Sequence, residues 1–400
     1  MPPTSTPDLH LPAGNAPLLI CLSHLRWNFV YQRPQHLMSR AARSYRVLFF
    51  EEPKFDSGVR PRLDLVKNEQ SVTVATPVLP EGLSDAFSTS AQRRLLDEYL
   101  ASESLEDAIV WHYTPMALSF TDHLRPALVI YDCMDELSAF KDAPSQLIEL
   151  ERRLFRRADI VFTGGQSLYE AKRNRHRNVH AFASSIDAEH FRQARRQRTP
   201  EPRDQQPIPQ PRLGFFGVID ERMDLDLLEH MASARPHWQF VMLGPVAKIE
   251  WSALPQRPNI HWLGAKTYEE LPAYLAGWQV GVMPFALNEA TRFISPTKTP
   301  EFLAAGLPVV STPIADVVRP YGMAGLVGIA EDAQHMTALA EERMDASRRS
   351  SWLARVDQFL SGTSWDKTWW DMHRLIKEEG AKKRLAPAAI ARSQRSAARV

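Results

Sequence analysis

The feature that most constrains the fold is an alternation of short apolar runs with helical patterns, which the chain shows twice. In the first half, apolar runs recur between helical patterns such as 91–100 and 146–157. The runs lie at 18–23, 46–50, 72–76, 109–112 and 128–131. Runs of β-branched and aromatic residues that are cut off by polar residues indicate strands of a parallel sheet covered on both faces. We therefore predict a first Rossmann-like domain over residues 17–191.

The same alternation restarts in the second half with clearer punctuation. Strands are predicted at 213–219, 239–243, 260–263, 280–284 and 308–311, with helices at 225–234, 268–276 and 300–305. Glycine or proline follows several of these strands, as at Gly244-Pro245 and Gly264, which is typical of chain turns. This pattern predicts a second doubly wound α/β domain over 212–379, closed by helices that begin near residue 333.

Trp365, Trp369 and His373 recur at four-residue spacing within those closing helices. On a helix this spacing gives one large apolar face that must be buried. Packing is the expected role of the three side chains, and the first domain is a candidate surface for that face.

Three stretches lie outside the two predicted domains. Residues 1–16 are rich in proline and small polar residues and lack the pattern of a signal peptide, which predicts a disordered N-terminus. Residues 192–211 are rich in Pro, Gln and Arg and nearly free of apolar residues, which predicts a linker. Residues 380–400 include basic side chains and no acidic one, which predicts a basic disordered tail.

Charge and cysteine content narrow the functional classes. Lys plus Arg number 48 and Asp plus Glu 47, so no net field draws the chain to nucleic acid. Cys21 and Cys133 lie in apolar runs and are expected to be core residues in a reducing compartment. No apolar run approaches the ~20 residues that span a bilayer. We expect a cytoplasmic protein, at most peripheral at the inner face of the membrane, where the basic tail could contact anionic lipid or have no role.

The segment 295–312 carries the strongest chemical signal. Ser295 and Pro296 open a predicted helix that bears Lys298 and Glu301, and residues three apart share one helix face. A lysine near the positive end of the helix dipole suits a phosphate, and a carboxylate one turn later can accept two hydrogen bonds from a diol such as ribose. The alternative is an exposed intrahelical ion pair, worth about 0.3–0.5 kcal/mol.

This segment, SPTKTPEFLAAGLPVVST, closely resembles the donor-site helix of GT-B glycosyltransferases of the family-four type, or glycosyl transferases group 1. Four further segments resemble the rest of the family's donor domain and occur in the expected order: LGFFGVIDERMDLDLL, FVMLGP, NIHWLG and YEELPAYLAGWQVGVMPF. Two segments of the first half resemble the end of the family's acceptor domain: ERRLFRRADIVFTGGQSLYEAK and SSIDAEHF. The segment HLRWNFVYQRPQHLMSRAA resembles a subgroup that is involved in bacterial surface-polysaccharide assembly. The resemblance covers roughly residues 18–375. It implies the GT-B fold, two Rossmann-like parallel-sheet domains facing across a cleft.

Carried over residue by residue, the resemblance implies a donor site in the second domain. The implied donor-binding residues are Arg222, Lys248, Ser295, Thr297, Lys298 and Glu301. Glu301 would bind the ribose hydroxyls, while the three cations would face the diphosphate and stabilise the charge that grows on it as the glycosidic bond breaks. The base is expected beside residues 265–267, and no metal or cofactor is expected beyond the nucleotide sugar as co-substrate. Asp224 and Asp226 have the Asp-x-Asp spacing of a metal site, but they open a predicted helix, where capping is the expected role.

Two residues are candidates for catalysis. Family members usually carry a second glutamate before Glu301 with seven residues between them, and this chain has Phe293 at that position. Glu289 could serve instead if the loop is longer, or it could be an exposed surface residue. His112 ends the run 109–112, where the family often places an active-site histidine, and it could instead be a satisfied core residue.

Four further residues are candidates for the acceptor side of the cleft. Arg33 and His36 follow a first loop that lacks the usual Gly-Gly pair, and they could contact donor or acceptor or simply pack. Asp132 and Asp135 follow the run 128–131. One of them could bind acceptor hydroxyls while the other caps the next turn.

The resemblance implies transfer of a sugar from a nucleotide-diphosphate-sugar donor to a glycan or lipid-linked acceptor, in cell-envelope or extracellular polysaccharide synthesis. It also implies a hexosyltransferase that retains anomeric configuration, although Phe293 leaves the stereochemistry open. Two alternatives share the fold. A nucleotide-sugar epimerase needs no acceptor, and a non-catalytic partner of another transferase binds the donor without turnover.

Overall fold

The first of two parallel sheets is built around a strand that is buried on both faces. The computed structural model describes residues 16–196, 200–345 and 349–397, with side chains to residue 385. In strand β1 (Leu18–Leu22), Leu19 and Cys21 join one core cluster, and Ile20 and Leu22 join another. Because successive side chains of a strand point to opposite faces, this sheet is covered on both sides.

The first sheet has 9 strands in the order β3-β5-β2-β1-β6-β7-β8-β9, with β4 beside β5. The remaining strands are β2 (Arg46–Phe50), β3 (Lys54–Asp56), β4 (Arg62–Lys67), β5 (Val72–Pro80), β6 (Ile109–His112), β7 (Leu128–Cys133), β8 (Ile160–Thr163) and β9 (Val179–Ala181). Its helices are α1 (Arg33–Ala41), α2 (Asp85–Leu100), α3 (Leu118–Thr121), α4 (Leu147–Arg157) and α5 (Gln166–Lys172). Helix α6 (Ala188–Arg192) follows them in the chain and packs on the core of the second domain through Phe191. All strand pairs are parallel except β4 with β5, which form an antiparallel hairpin.

The second sheet has 6 parallel strands in the order β12-β11-β10-β13-β14-β15. The strands are β10 (Arg212–Phe216), β11 (Gln239–Leu243), β12 (Ile260–Gly264), β13 (Val280–Met283), β14 (Val309–Ser311) and β15 (Val327–Ile329). The helices are α7 (Leu225–Ala234), α8 (Leu271–Leu275), α9 (Lys298–Ala304), α10 (Ala315–Val317), α11 (Ala333–Arg343) and α12 (Arg349–Leu360). From β10 the chain runs outward to β11 and β12, and it then crosses to β13 on the other side of β10. At such a reversal of strand order a ligand crevice is expected at the carboxyl ends of β10 and β13.

The last helix, α13 (Trp365–Ala397), returns to the first domain. Trp365 and Trp369 bury their rings in the same core cluster as Trp111, and Asp366 forms ion pairs with two arginines of the α1 region. The sequence pattern predicts that residues up to 379 belong to the second domain, whereas the structure places this helix on the first. The large apolar face that the tryptophan spacing creates is buried there because the first sheet leaves a core surface for it.

Two stretches differ from their predicted organisation. The described part of the predicted linker 192–211 packs on the second domain: Gln205 donates through Nε2 to the Tyr274 carbonyl at 3.1 Å and accepts from Trp278 Nε1 at 2.8 Å. Polar contacts of this kind order a segment that has few apolar side chains. The helix α13 continues to Ala397, where a disordered tail was predicted from residue 380, because alanine, lysine and arginine all favour helix. Residues 1–15 and 398–400 of the predicted disordered ends lie outside the described residues. None of the described helices is both long and apolar enough to cross a membrane.

Candidate active site

A cavity of about 680 Å³ lies between the two domains at the carboxyl ends of β10, β11 and β12. The first domain contributes the loop after β1 and the turn of the β4–β5 hairpin, and the second contributes the loop 265–271 and helix α9. The floor is formed by Gly217 and Gly244, whose φ values of 140° and 149° favour glycine. A Cβ on Gly217 would lie 2.7 Å from Lys298 Cε, so glycine lets this lysine lie flat against the strand end.

Lys298 and Glu301 line this cavity together from helix α9. Glu301 is only 5% exposed, and its Oε2 atom has no hydrogen-bond partner among the described residues. Burial raises the pKa of Glu301 to about 8, against the opposing effect of Lys298, and burial lowers the pKa of Lys298. Lys298 Nζ donates to Thr297 Oγ1 at 3.2 Å and makes no direct ion pair with Glu301 among the described contacts. The alternative of an exposed intrahelical ion pair is therefore wrong.

A second cavity of about 100 Å³ adjoins Lys298 on the side of the first domain. Ser295, Thr297, Arg222 and Asp135 also line it. Burial would lower the pKa of Arg222, but the hydrogen bonds and charge of Asp220 outweigh it, with Nε–Oδ1 and Nη2–Oδ2 distances of 2.9 and 2.7 Å. The guanidinium is therefore a fixed cation at the wall of this cavity.

Asp135 lies in the small cavity opposite these cations. Burial raises its pKa, although the charges of Arg222 and Arg33 act in the other direction. A carboxyl group placed here can accept a hydrogen bond from a hydroxyl that enters beside Lys298. The structure thus brings together Asp135, Arg222 and Lys298, which the sequence placed in three separate segments.

Lys248 is placed apart from the other predicted cations. Its side chain is 50% exposed, with Nζ 3.7 Å from Glu221 Oε1 and 4.5 Å from the centre of the Phe140 ring. It lines neither of the two cleft cavities described above. The prediction that it faces the diphosphate is therefore not supported by its position.

Arg33 and Asp132 form a buried ion pair with each other. Arg33 Nη2 and Nε lie 2.9 and 3.0 Å from the two Asp132 carboxylate oxygens, and Arg33 Nη1 donates to the Phe182 carbonyl at 2.7 Å. Asp132 is fully buried. Because both oxygens of this buried carboxylate accept hydrogen bonds from Arg33, Asp132 is a structural residue and not an acceptor-binding one.

His36 also has a packing role. Its ring stacks on Trp365 with centroids 4.6 Å apart and meets Tyr31 edge-on at 4.7 Å. Burial lowers its pKa well below the usual value, so the ring is neutral. It lines neither cleft cavity, and the prediction of a donor or acceptor contact is wrong for this residue.

Neither predicted catalytic residue reaches the cleft cavities. His112 is 1% exposed, and burial lowers its pKa to about 3, with Arg157 acting in the same direction. Glu289 has a side chain that is 74% exposed and lies 3.5 Å from Arg292 on the surface. Phe293 stands where the family carries its first glutamate, and its side chain packs against a core cluster of the first domain. The predictions that His112 and Glu289 act in catalysis are therefore wrong. The face of the strand on which His112 lies and the path of the loop that carries Glu289 direct the two side chains away from the cavities.

One predicted helix cap is present, and the cavity lining includes one residue that the sequence did not single out. Asp224 caps helix α7, accepting a hydrogen bond from the Leu227 amide at 2.8 Å, as expected. The loop 265–267 lines the large cavity beside Glu301, where the base was expected. Sequence reasoning missed Tyr268, which lines the same cavity directly after this loop. The available signal was an aromatic residue at the boundary between a loop and a helical pattern. The predicted helix 268–276 includes this residue, so it was not considered as part of the site.

Comparison with known proteins agrees with this architecture. Residues 210–344 match the protein family described as glycosyl transferases group 1. A putative teichuronic acid biosynthesis glycosyltransferase, TuaH of Bacillus subtilis, is 28% identical over 262 residues, which are 60% of this chain. The chain spans 64% of the length of this curated relative.

Solved structures of low sequence identity share the whole fold. A sucrose-phosphate synthase from Thermosynechococcus elongatus superposes with a TM-score of 0.67 at 13% identity, covering 92% of this chain and 100% of that one. An E. coli structure described as trehalose-6-phosphate bound with UDP-2-fluoro glucose gives 0.65 at 13% identity, with 91% and 99% covered. At this identity the likeness shows the fold alone, and that fold is GT-B.

Proposed function

We propose that this chain, whose residues 210–344 belong to the glycosyl transferases group 1, moves a sugar from a nucleoside diphosphate sugar to an acceptor hydroxyl. The observation that carries the proposal is the pair Lys298 and Glu301, side by side on helix α9 in the interdomain cavity. A cation and a carboxylate with free hydrogen-bonding capacity match a nucleotide, because its phosphate is an anion and its ribose carries two hydroxyl donors.

In the proposed reaction, Glu301 accepts hydrogen bonds from the ribose, and Lys298 and Arg222 hold the diphosphate. The bond between the anomeric carbon and the diphosphate oxygen breaks, and that oxygen gains negative charge. The acceptor hydroxyl oxygen bonds to the anomeric carbon, and its proton passes to the leaving diphosphate. Fixed cations stabilise this charge more than they stabilise the ground state. Because two cations already line the cavities at this point, we propose that the reaction needs no metal ion.

Asp135 is the proposed contact for the acceptor. A hydroxyl that donates to its carboxylate would lie in the small cavity beside Lys298, next to the breaking bond. Such positioning contributes to rate by holding the two reactants in a productive geometry. We propose retention of anomeric configuration on the basis of the family resemblance, with Phe293 in place of the family's first glutamate.

The acceptor class is proposed from the curated relative. TuaH is described as acting in teichuronic acid biosynthesis, which supports a glycan or lipid-linked acceptor in cell-envelope polysaccharide synthesis for this chain. Peripheral membrane contact through the basic tail is part of the same proposal.

A non-catalytic donor-binding partner is the second candidate. It is favoured by one observation, the packing of Phe293 on the first domain where the family carries a glutamate. The two functions differ in turnover, since only the transferase releases nucleoside diphosphate from a nucleotide sugar when an acceptor is present.

The first test is thermal unfolding with UDP, GDP, ADP and dTDP. A nucleotide at 100 times its Kd adds about 2.7 kcal/mol of stability, so binding is readily seen as a higher Tm. We expect one nucleotide to raise the Tm of wild type, and expect Lys298→Ala and Glu301→Ala to lose that shift while Glu289→Ala keeps it. If folded wild-type protein responds to none of the four, the proposed function is wrong.

A further inference from the structure

A further cavity, of about 420 Å³, is lined by the first domain alone, and we refer to it as the side cavity. It lies at the carboxyl ends of β1 and β2 and against the β4–β5 hairpin. Its volume falls in the range of about 300–1,000 Å³ that is typical of small-molecule sites. It adjoins the interdomain cavity, since both are lined by Trp27, Asn28, Phe29 and Asn68. Open α/β sheets bind ligands outside the carboxyl ends of their strands, so a ligand is expected at this position.

The floor of the side cavity is one face of the β4–β5 hairpin. Across the two strands Val66 is paired with Val74. Asp64 is paired with Thr76 two residues farther along, so all four side chains lie on one face, and all four line the cavity. Val66 is 64% exposed. The floor therefore offers apolar surface that the protein itself leaves uncovered.

Phe29 lies between the side cavity and the interdomain cavity and lines both. It is 47% exposed. Phe29 and Val66 thus expose apolar surface in one groove, which marks a binding surface more strongly than scattered surface residues do. The face of an aromatic ring carries partial negative charge, so the C–H groups on one face of a sugar ring can pack on it.

The charges of the side cavity leave one ammonium group unmatched. Glu51 accepts hydrogen bonds from a main-chain N–H and, at 2.8 Å, from the Thr76 hydroxyl. Asp64 forms an ion pair with Arg62 at 2.9 Å. The side chain of Lys54 also lines the cavity, and it has no hydrogen bond or ion pair with any other described residue. Lys54 is therefore free to meet an anionic group of a ligand.

Arg26 is a second cation of the side cavity. Its Nη1 and Nη2 atoms donate to the main-chain carbonyls of Glu52 and Pro53 at 3.1 and 3.0 Å. Its side chain nevertheless stays 38% exposed, with Nη1 3.7 Å from Glu51 Oε2. The guanidinium is thus held in place and still accessible. Two cations beside exposed apolar surface favour a ligand that combines a negative charge with an apolar face.

We propose that the side cavity is a subsite for the acceptor glycan and that it selects a sugar unit bearing a negative charge, either a carboxylate or a phosphate. Lys54 and Arg26 hold the charged group, and Phe29 packs against the face of the sugar ring. This inference rests on the proposed function, because the subsite adjoins the cavity in which the donor is proposed to bind. It names the class of acceptor that the first domain recognises.

The competing explanation is that the apolar side chains only stabilise the hairpin, with no ligand. Lys54→Gln tests the selection by charge, because it removes the ammonium and keeps a polar side chain on an exposed strand. Phe29→Ala tests the packing, because it removes the exposed ring. Lys382→Gln is the matched control: its side chain is 70% exposed on helix α13, and the residue does not line the side cavity.

The experiment measures Kd by saturation-transfer NMR for methyl glucuronide, glucose 6-phosphate and methyl glucoside, with and without the nucleotide that wild type binds. We expect wild type to bind one of the two anionic sugars about three- to fivefold more tightly than methyl glucoside at low salt, and expect high salt to reduce this preference. The preferred anionic sugar identifies the charged group as a carboxylate or a phosphate. Lys54→Gln should lose the preference, Phe29→Ala should weaken binding of all three sugars, and Lys382→Gln should match wild type.

The outcomes separate the inference from the proposed function. Equal wild-type affinity for charged and neutral sugars, or an unchanged preference in Lys54→Gln, overturns the inference while nucleotide binding still supports the transferase. Binding of a nucleotide but of none of the three sugars does the same. Failure of wild type to bind any nucleotide overturns the proposed function and, with it, the assignment of the subsite to an acceptor. The wild-type preference and its salt dependence decide the matter even if a variant fails to fold.

Discussion

Ser167 and Asp316 lie in different domains and are joined by a hydrogen bond, in which the main-chain N–H of Ser167 donates to Asp316 Oδ1 at 3.0 Å. Asp316 therefore satisfies an amide at the start of helix α5 from across the cleft. Arg319 and Glu170 extend the contact with an ion pair at 2.7 Å. Ser184 Oγ donates to the Ser295 carbonyl at 2.8 Å nearby, so the two domains approach closely on this side.

Gly165 allows this approach, and we predict that an alanine there separates the domains. An added Cβ would lie 2.1 Å from Asp316 Oδ2 and 2.8 Å from Ser295 Cβ, while the extended φ of −171° suits alanine. We expect Gly165→Ala to increase the radius of gyration in small-angle X-ray scattering and to weaken binding of the nucleotide that wild type binds. Gly362→Ala, whose added Cβ meets no atom within 4 Å, is the control. An unchanged radius and affinity would contradict the prediction.

Nucleotide binding should release a proton near neutral pH. Burial raises the pKa of Glu301 to about 8, so the protonation of this group changes close to neutral pH. Ribose hydroxyls stabilise the carboxylate, and binding therefore lowers this pKa. We expect affinity for the nucleotide that binds to rise between pH 6 and pH 8, and calorimetry in buffers of different ionisation enthalpy to show proton release. Glu301→Gln should reduce the release. The same release from this variant would assign the proton elsewhere.

Asp132, near the end of β7, and Asp135, which follows that strand, should respond in opposite ways to substitution. Asp132→Ala leaves the buried Arg33 charge unpaired, and we expect a loss of about 3–5 kcal/mol in the free energy of unfolding. Asp135→Asn should leave that free energy nearly unchanged and lower the rate of sugar transfer, because Asp135 faces the small cavity. Urea unfolding and nucleotide release from the sugar donor measure the two effects. Equal destabilisation by both variants would argue against the division of roles.

Buried histidines should make the protein sensitive to acid. Burial lowers the pKa of His112 to about 3 and the pKa values of His24 and His373 to about 4, from an ordinary value of 6.5. The unfolded chain therefore takes up protons first as pH falls. The free energy of unfolding should be maximal above pH 6.5 and decline toward pH 4. His112→Gln should decline less steeply in urea titrations across this range, and an unchanged slope would exclude His112 as a contributor.

The second domain could be predicted closely from sequence. Helix α7 and strand β11 begin and end at the predicted residues, because apolar periodicity and the turn at Gly244 are local signals. Strands β3 and β4 were not predicted, since their side chains are mostly exposed and give no apolar run.

The candidate site could be predicted in part. Lys298 and Glu301 share one helix turn, so their spacing alone places them together. The Arg33–Asp132 pair joins residues 99 positions apart in the chain. No local sequence pattern predicts that these two residues form an ion pair with each other. His112 was misjudged because a strand end does not reveal which face a side chain takes.

The return of helix α13 to the first domain means that the polypeptide passes between the domains twice. The two passages are adjacent, since the Trp365 amide donates to the Ile186 carbonyl at 3.3 Å. Two neighbouring covalent connections permit bending about the line through them and oppose twisting of one domain on the other. Opening and closing of the cleft is thereby restricted to one axis. Cleaving the backbone between residues 361 and 364 would remove that restriction while Trp365 and Trp369 stay packed in the first domain.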